Sequence, residues 1–415
     1  MGALSETSLD KRKIKVLLLE SISSTAVDTF RAEGYTNVES HATALVGGEL
    51  LEAVRDVHLL GIRSRTKIRA EVLAKATKLV AIGCFSIGTD QVDLAVAEAH
   101  GVPVFNSPFS NTRSVAELVI AEIVMLCRGV PERNAAAHRG EWLKALRGAI
   151  EVRGKTLGIV GYGHVGVQVA LLAEALGMRV IFHDIERKLA LGNAKAVDTL
   201  DELLGQSDVV TLHVPETPGT RGLVGVAQLA RMRKGARLIN ASRGSVVDVD
   251  AVAAALESGQ LAGAAVDVFP VEPQSDDDRL ETPLRKFDNV LMTPHIGGNT
   301  MEAQDSIGVD VAGKLVRYSD NGSTVGAVNF PEVALPEHVG RHRLLHIHRN
   351  EPGVLAAINS VLASAHVNIA SQYLETTQRV GYAVVDVDGA DKPLSAELRS
   401  RLGEIPATIR TRVLY

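Results

Sequence analysis

The 415-residue sequence is poor in aromatic residues, at 4%, and in cysteine, with two. So few aromatics mean that aliphatic side chains must fill any core. Cys84 and Cys127 each lie in an apolar run, which excludes a disulfide framework and points to a reducing compartment. No uninterrupted apolar run reaches membrane-spanning length. No dense block of Lys or Arg appears against a formal net charge of −5, so neither nucleic-acid binding nor attraction to anionic lipid has an electrostatic source. The segment Met1 to Lys13 lacks the apolar stretch of a signal peptide, and Glu6 stands where a myristoylation signal starting at Gly2 requires Ser or Thr. The expectation is a cytoplasmic protein with a small-molecule ligand and no nucleic acid, membrane or metal partner.

What is present is length enough for two to three domains and a composition, 46% hydrophobic and 22% charged, of a soluble globular enzyme. Short aliphatic strands alternate with helical patterns from Ile14: Lys15 to Leu19, a helix near Ser24 to Glu33, then Leu59 to Ile62 and Lys78 to Ile82. That alternation predicts a parallel α/β sheet. A helix over Arg113 to Arg128, with Val115, Leu118, Val119, Ile123 and Leu126 on one face, can join this unit to the next. Six further strands follow, at Thr156 to Val160, Arg179 to His183, Val209 to His213, Arg237 to Asn240, Ala264 to Val268 and Val290 to Met292, which make a doubly wound sheet. The prolines of Asn329 to Pro336 mark a linker, and His342 to Tyr415 reads βαββαβ, a ferredoxin-like module with an antiparallel sheet.

The strand Thr156 to Val160 runs into Gly161, Gly163 and Gly166, and then into an alanine- and leucine-rich helix. Such glycines allow a tight turn, close backbone approach to a pyrophosphate and close helix-on-strand packing, while the helix N-terminus offers free N–H groups to the anion. Asp184 ends the next strand, where a carboxylate accepts from the adenosine ribose hydroxyls and repels a 2′-phosphate. The cofactor expected is NAD.

The remaining polar residues gather where strands end: His213 and Pro215, then Ala241, Ser242 and Arg243, then Asp267 and Glu272, then His295. Carboxyl ends of parallel strands open on one crevice. Oxidising a hydroxyl beside a carboxylate needs a base, a cation and a hydride acceptor. His295 suits the base, Arg243 the cation, and Glu272 can accept the other ring N–H of His295.

With the stretches Gly61 to Thr66, Gly158 to Gly166, Asn240 to Gly244, Asp267 to Pro273 and Thr293 to Gly298, the chain resembles the D-isomer-specific 2-hydroxy acid dehydrogenases from about Lys15 to its end. The resemblance implies a catalytic triad of Arg243, Glu272 and His295. It implies cofactor contacts from His164, Val165, Asp184, Ala241 to Arg243, Asp267, His295, Ile296, Gly297 and Gly298. It further implies a Rossmann-like NAD domain, 111–298, inserted in a flavodoxin-like substrate domain, 14–110 with 299–335, and followed by an ACT domain over 341–415.

Arg63 and Ser64 form a donor cluster and the backbone around Ser86, Ile87 and Gly88 another, suited to the two anionic ends of a phosphorylated hydroxy acid. The resemblance adds Asn111 and implies 3-phosphoglycerate as substrate, at the first committed step of L-serine biosynthesis. Arg65 and Lys67 read as a solvated turn. Trp142, the one tryptophan, is either an anchor to a neighbouring subunit or a plug in its own core. By likeness to ACT domains, His348, Asn350 and Asn368 match residues that bind L-serine, a bare dimerisation module being the alternative. Two self-association regions favour a homotetramer. Rival readings are a glyoxylate or hydroxypyruvate reductase, which the C-terminal module disfavours, and an NAD-sensing corepressor, which would need an exposed peptide-binding surface.

Overall fold

A computed structural model describes residues 10–145, 148–273, 278–338 and 341–414; the reading of the extreme N-terminus, 1–9, falls outside them. The chain forms two compact units, Met1–Ser110 with Gln304–Tyr415, and Asn111–Ala303.

The first unit opens with strands β1 (Val16–Leu18), β2 (Val38–Ser40), β3 (Leu59–Ile62), β4 (Ala81–Cys84) and β5 (Val104–Phe105), interleaved with helices α1 (Ser24–Ala32), α2 (Gly47–Ala53), α3 (Ala70–Lys75) and α4 (Leu94–Ala99). They form one parallel sheet in the order β2-β1-β3-β4-β5, the flavodoxin-like order. β1, β3 and β4 are buried along their whole length, because helices cover both faces and leave no place for alternating polar residues. Two helices start on side-chain caps: Ser23 accepts from the Thr25 amide and Asp93 from the Val96 amide. β2 and β5 escape the sequence pattern because three and two residues carry too little periodicity.

The second unit runs from α5 (Thr112–Arg128) and α6 (Val130–His138) through β6 (Thr156–Val160), α7 (His164–Ala175), β7 (Arg179–His183), β8 (Lys195–Ala196), α8 (Leu200–Gln206), β9 (Val209–Leu212), α9 (Val226–Arg231), β10 (Ala236–Asn240), α10 (Val249–Glu257) and β11 (Leu261–Val266) to β12 (Val290–Met292). All seven strands are parallel, in the order β12-β11-β10-β9-β6-β7-β8. This is a doubly wound Rossmann sheet with one strand more than the six read from sequence. The addition, β8, is two exposed residues laddered to Ile181 and Phe182, so its polarity hides it. α5 buries Val115, Val119, Ile123 and Leu126 against Leu157, Ile159 and α7, which makes it a layer of this sheet.

After α11 (Met301–Asn321) comes the module β13 (His342–Arg349), α12 (Val354–Ser364), β14 (Asn368–Thr376), β15 (Val380–Asp388), α13 (Lys392–Gly403) and β16 (Thr408–Leu414). Its antiparallel order β14-β15-β13-β16 is the ferredoxin-like βαββαβ arrangement. Its central strands β13 and β15 are buried on both faces. Leu344, Val385 and Val413 pack under α12 and α13, while Leu345, Ile347, Tyr382 and Val384 join the core of the first sheet with Tyr318 and Leu315. The module therefore shares one apolar core with the first sheet. The stretch read as a linker is packed too: Phe330 and Val333 are buried, and Val333 exchanges hydrogen bonds with Thr324. Arg343, fully buried on β13, makes a two-pronged ion pair with its cross-strand neighbour Asp386, at 2.6 and 2.7 Å, and donates to the carbonyls of Asn321 and Pro336.

Candidate active site

The turn between β6 and α7 is closed by glycines doing three different things. Gly161 has φ +90°, and a Cβ there would lie 2.4 Å from the His213 carbonyl oxygen. Gly166 sits on the same turn from the helix side, where a Cβ would lie 2.3 Å from the Gly161 carbonyl oxygen. Gly163 caps α7 and a Cβ on it would touch nothing. The turn thus presents bare backbone outward at a helix N-terminus, with the amides of His164 and Val165 in its first turn, which suits a pyrophosphate. Asp184, just after β7, accepts from the amides of Tyr162 at 2.8 Å and Glu186 at 2.9 Å, so its carboxylate is fixed in orientation beside this turn. The pyrophosphate turn and the ribose acceptor both fit a dinucleotide. His213 follows β9; Thr211 Oγ1 and its Nε2 are 3.0 Å apart, and burial pushes its imidazole down to about 3, so it is neutral at pH 7. Pro215 follows, its carbonyl accepting from Thr220.

The loops after β10, β11 and β12 are tied into one body. After β10, the buried Asn240 side chain accepts from the Ser242 amide and hydroxyl and donates to the Arg243 carbonyl. Ala241 lies at the edge of the α5 core and Arg243 is half-buried. Gly244 leaves no room for a Cβ, which would lie 2.0 Å from the Phe269 carbonyl carbon, so this loop meets the one after β11 backbone to backbone. Asp267, 1% exposed, accepts from the Thr293 hydroxyl at 2.6 Å and from the amides of Ile296 and Gly297 at 2.8 and 2.9 Å. Both its oxygens are therefore engaged by protein donors, and its visible work is to shape the loop that carries His295. Gly298 lies against Asn111, whose Nδ2 would be 2.0 Å from a Cβ there.

His295 is the product of that shaping. Its φ is +55°, a left-handed conformation that a side chain adopts only when its surroundings impose it, and its amide donates to the carbonyls of Asp267 and Thr293. Nδ1 lies 3.0 and 3.1 Å from the two carboxylate oxygens of Glu272. The hydrogen bond to Glu272 raises the imidazole's pKa against the opposing effect of burial. Burial by itself would raise the Glu272 carboxyl; the hydrogen bond and charge of His295, the Phe269 amide and Arg243 more than offset it and hold it below the usual range. The pair keeps a proton on Nδ1 and leaves the ring's lone pair on Nε2, the form a general base requires.

In the first unit Arg63 and Ser64 follow β3, and Ser86, Ile87 and Gly88 follow β4. Gln91, buried, connects the two loops by donating to the Arg63 carbonyl, to Ser86 Oγ and to the Gly88 carbonyl, while Asn106 donates to the Ile87 carbonyl. These residues come together; Asn111 belongs to the second unit. Sequence reasoning missed the residue that organises the first loop. Glu20, at φ +66°, accepts from the amides of Arg63, Arg65 and Thr66. Burial pushes its carboxyl up, and these amides more than reverse the shift. A carboxylate just past the end of β1 was the available signal. Glu122 was also missed: it is buried on α5 with neither carboxyl oxygen hydrogen-bonded among the described residues, and burial and the charge of Asp267 push it up to about 8.

In the C-terminal module His348 is buried, with Nδ1 2.9 Å from the Arg349 carbonyl oxygen, and Asn350 donates to the Thr377 carbonyl. Asn368 does not join them. His348 pairs with Gly381 on β15 and Asn368 with Asp388, so seven strand residues, about 24 Å, separate them along the sheet. Trp142 is 85% exposed, which rules out its being a plug in its own core.

A model of the D-isomer specific 2-hydroxyacid dehydrogenase NAD-binding domain matches residues 120–297, and one of the AHAS small subunit-like ACT domain matches 344–410. D-3-phosphoglycerate dehydrogenase of Haemophilus influenzae is 58% identical over 99% of this chain and 100% of its own length, and that of Escherichia coli K12 57% identical over the same shares. Among solved structures, D-lactate dehydrogenase from Aquifex aeolicus, complexed with NAD and lactic acid, is 27% identical with a TM-score of 0.64, covering 73% of this chain and 95% of that one. The TT0316 protein of Thermus thermophilus is 34% identical with a TM-score of 0.65, covering 73% and 96%.

Proposed function

The chain belongs to the D-isomer-specific 2-hydroxyacid dehydrogenases and is an NAD-dependent oxidoreductase with a C-terminal ACT domain; from that premise we propose that it oxidises 3-phospho-D-glycerate to 3-phosphohydroxypyruvate. The observation that carries the chemistry is the contact of His295 with Glu272 at 3.0 Å, on a loop held by Asp267. The choice of substrate follows the full-length likeness, which extends through the module, to the phosphoglycerate enzymes.

The turn from Gly161 to Gly166 would hold the pyrophosphate of NAD and Asp184 its adenosine ribose, and the bound cofactor would supply a hydride acceptor for C2. The chain's own residues manage the proton and the charges. Neutral His295 takes the C2 hydroxyl proton on Nε2, and Glu272 steadies the imidazolium that forms. Arg243 holds the substrate carboxylate and draws charge from the forming carbonyl oxygen. In the reverse direction protonated His295 returns the proton. The donors around Arg63, Ser64 and Ser86 to Gly88, with Asn111, take the anionic ends of the substrate.

L-serine is the effector we propose for the module, and one copy of the chain cannot form its site if Asn368 takes part. The edge strand β14 is exposed and nine residues long. Antiparallel pairing of two β14 strands about Gln372 brings Asn368 of one copy opposite Thr376 of the other, next to the Thr377 carbonyl on which Asn350 rests. With exposed Trp142 as a second contact region, these features favour a homotetramer. No helix among the described residues is long and apolar enough to cross a membrane. The cytoplasmic setting we propose is supported by the two cysteines, which are free and buried.

The test is NADH absorbance with purified protein, NAD and 3-phosphoglycerate, with and without L-serine, against NADH with glyoxylate or hydroxypyruvate. Turnover of 3-phosphoglycerate suppressed by serine is the expected result. Rapid reduction of glyoxylate with none of 3-phosphoglycerate would overturn the substrate and leave the family standing.

A further inference from the structure

Within the first unit, the module and the first sheet enclose a cavity of about 430 Å³. Its polar lining is basic. Lys392 and Arg399 come from α13, Thr411 and Arg412 from β16, His58 from the turn before β3 and Ser319 from α11. No carboxylate lines it among the described residues. The acids on neighbouring elements are engaged elsewhere: Asp56 with Lys78, Asp320 with Lys11 and Tyr35, while Asp391 caps α13.

Two details show donors without acceptors. Arg412 stacks 5.2 Å from the centre of the Tyr318 ring and donates from one nitrogen to the Ser319 carbonyl, while its other terminal nitrogen is buried with no hydrogen-bond partner among the described residues. A guanidinium N–H buried without a partner costs free energy that a bound acceptor would recover. His58 accepts the Lys15 amide on Nδ1, which places its ring proton on Nε2 and makes that nitrogen a donor. Burial and the nearby Lys78 keep this imidazole neutral to lower pH than usual.

We propose that this cavity is a binding site for a small, multiply charged oxyanion of the phosphate type, held by Arg399, Arg412 and Lys392 with His58 as a neutral donor. Its size admits a phosphorylated three-carbon acid as readily as inorganic phosphate. The ligand would tie α13 and β16 to the first sheet, and occupancy would strengthen the junction between the regulatory module and the rest of its unit. The inference is independent of the reaction proposed above.

Isothermal titration of the full-length protein with inorganic phosphate, and separately with 3-phosphoglycerate, tests it in three proteins: the parent, Arg399→Glu and Arg63→Gln. Arg399 is exposed on α13, so its replacement leaves the fold intact. The expected result is phosphate binding that Arg399→Glu weakens about ten-fold or more and Arg63→Gln leaves unchanged, accompanied by a rise of melting temperature with phosphate only in the first and third proteins. If 3-phosphoglycerate shows a second binding event that Arg399→Glu removes, the ligand is a phosphorylated metabolite; if phosphate alone does, it is the free ion. Phosphate binding that Arg399→Glu leaves intact, binding lost only in Arg63→Gln, or no binding at millimolar phosphate would overturn the proposal.

Discussion

The loops at the carboxyl ends of the second sheet and the C-terminal module solve the placing of polar groups in opposite ways. In the second sheet, residues as distant in sequence as Asn240, Asp267 and Gly297 are hydrogen-bonded in a row, because parallel strands deliver all their C-terminal loops to one edge. In the module, His348 and Asn368 are 20 residues apart in sequence but lie about 24 Å apart along the sheet, because β13 and β14 are both antiparallel to β15 and so run parallel to each other, which puts the end of one and the start of the other at opposite ends of the sheet. The first arrangement can complete a reactive constellation from one fold unit. The second sets the two halves of the proposed effector site at opposite ends of its sheet, which is why that proposal calls on another copy.

The largest effect expected from this contrast is at His295. His295→Ala should lower kcat/KM for 3-phosphoglycerate about a thousand-fold while NAD binding and thermal stability hold, since the side chain is half exposed and removes only the base. A loss below ten-fold would remove His295 from the chemistry. Next come the glycines. Gly163→Val should fold, its side chain meeting nothing, yet weaken NAD binding about a hundred-fold as measured by fluorescence titration. Gly166→Val should fail to fold, its Cβ driven into the Gly161 carbonyl. Equal behaviour of the two variants would mean that the turn is not a cofactor cradle.

A smaller effect separates the two regions directly. Asn350→Ala and Asn368→Ala should each weaken L-serine inhibition about ten-fold, the order expected for one lost hydrogen bond to a charged ligand. Assemblies mixed from the two variants should regain part of the parent sensitivity, since a junction that pairs intact halves carries Asn350 from one copy and Asn368 from the other. No regain would place the effector within one chain.

Much of this was legible in the sequence where backbone necessity leaves a mark. Gly161, Gly163 and Gly166 announce a turn that excludes side chains, and buried aliphatic runs announce parallel strands. The strand ends gave Arg243, Glu272 and His295 a common edge, though not the hydrogen bonds that join their loops. What stayed hidden is set by tertiary contact. Glu20 looks like a solvated loop residue until its carboxylate meets three amides of a loop 43 to 46 residues away. The sequence offers Asp267 as a cofactor contact, but not the hydrogen bonds it accepts from Thr293, Ile296 and Gly297. The prolines at 331 and 336 suggested a free linker, but the outward face of β13, Leu345 and Ile347, is apolar and packs on the first sheet. The adjacent Leu344 and Leu345 held that clue, because they point to opposite faces of β13 and both faces are buried.

Whether Glu272 tunes His295 as the base is read from the pH dependence of kcat/KM for 3-phosphoglycerate oxidation. Glu272 raises the His295 pKa, and oxidation requires the neutral ring, so in the parent protein activity should rise with pH through a value above 6.5. In Glu272→Gln the hydrogen-bonded charge is gone, and the account predicts a lower maximal rate with the acid limb moved toward pH 6.5. An acid limb that stays in place, or moves upward, would contradict it.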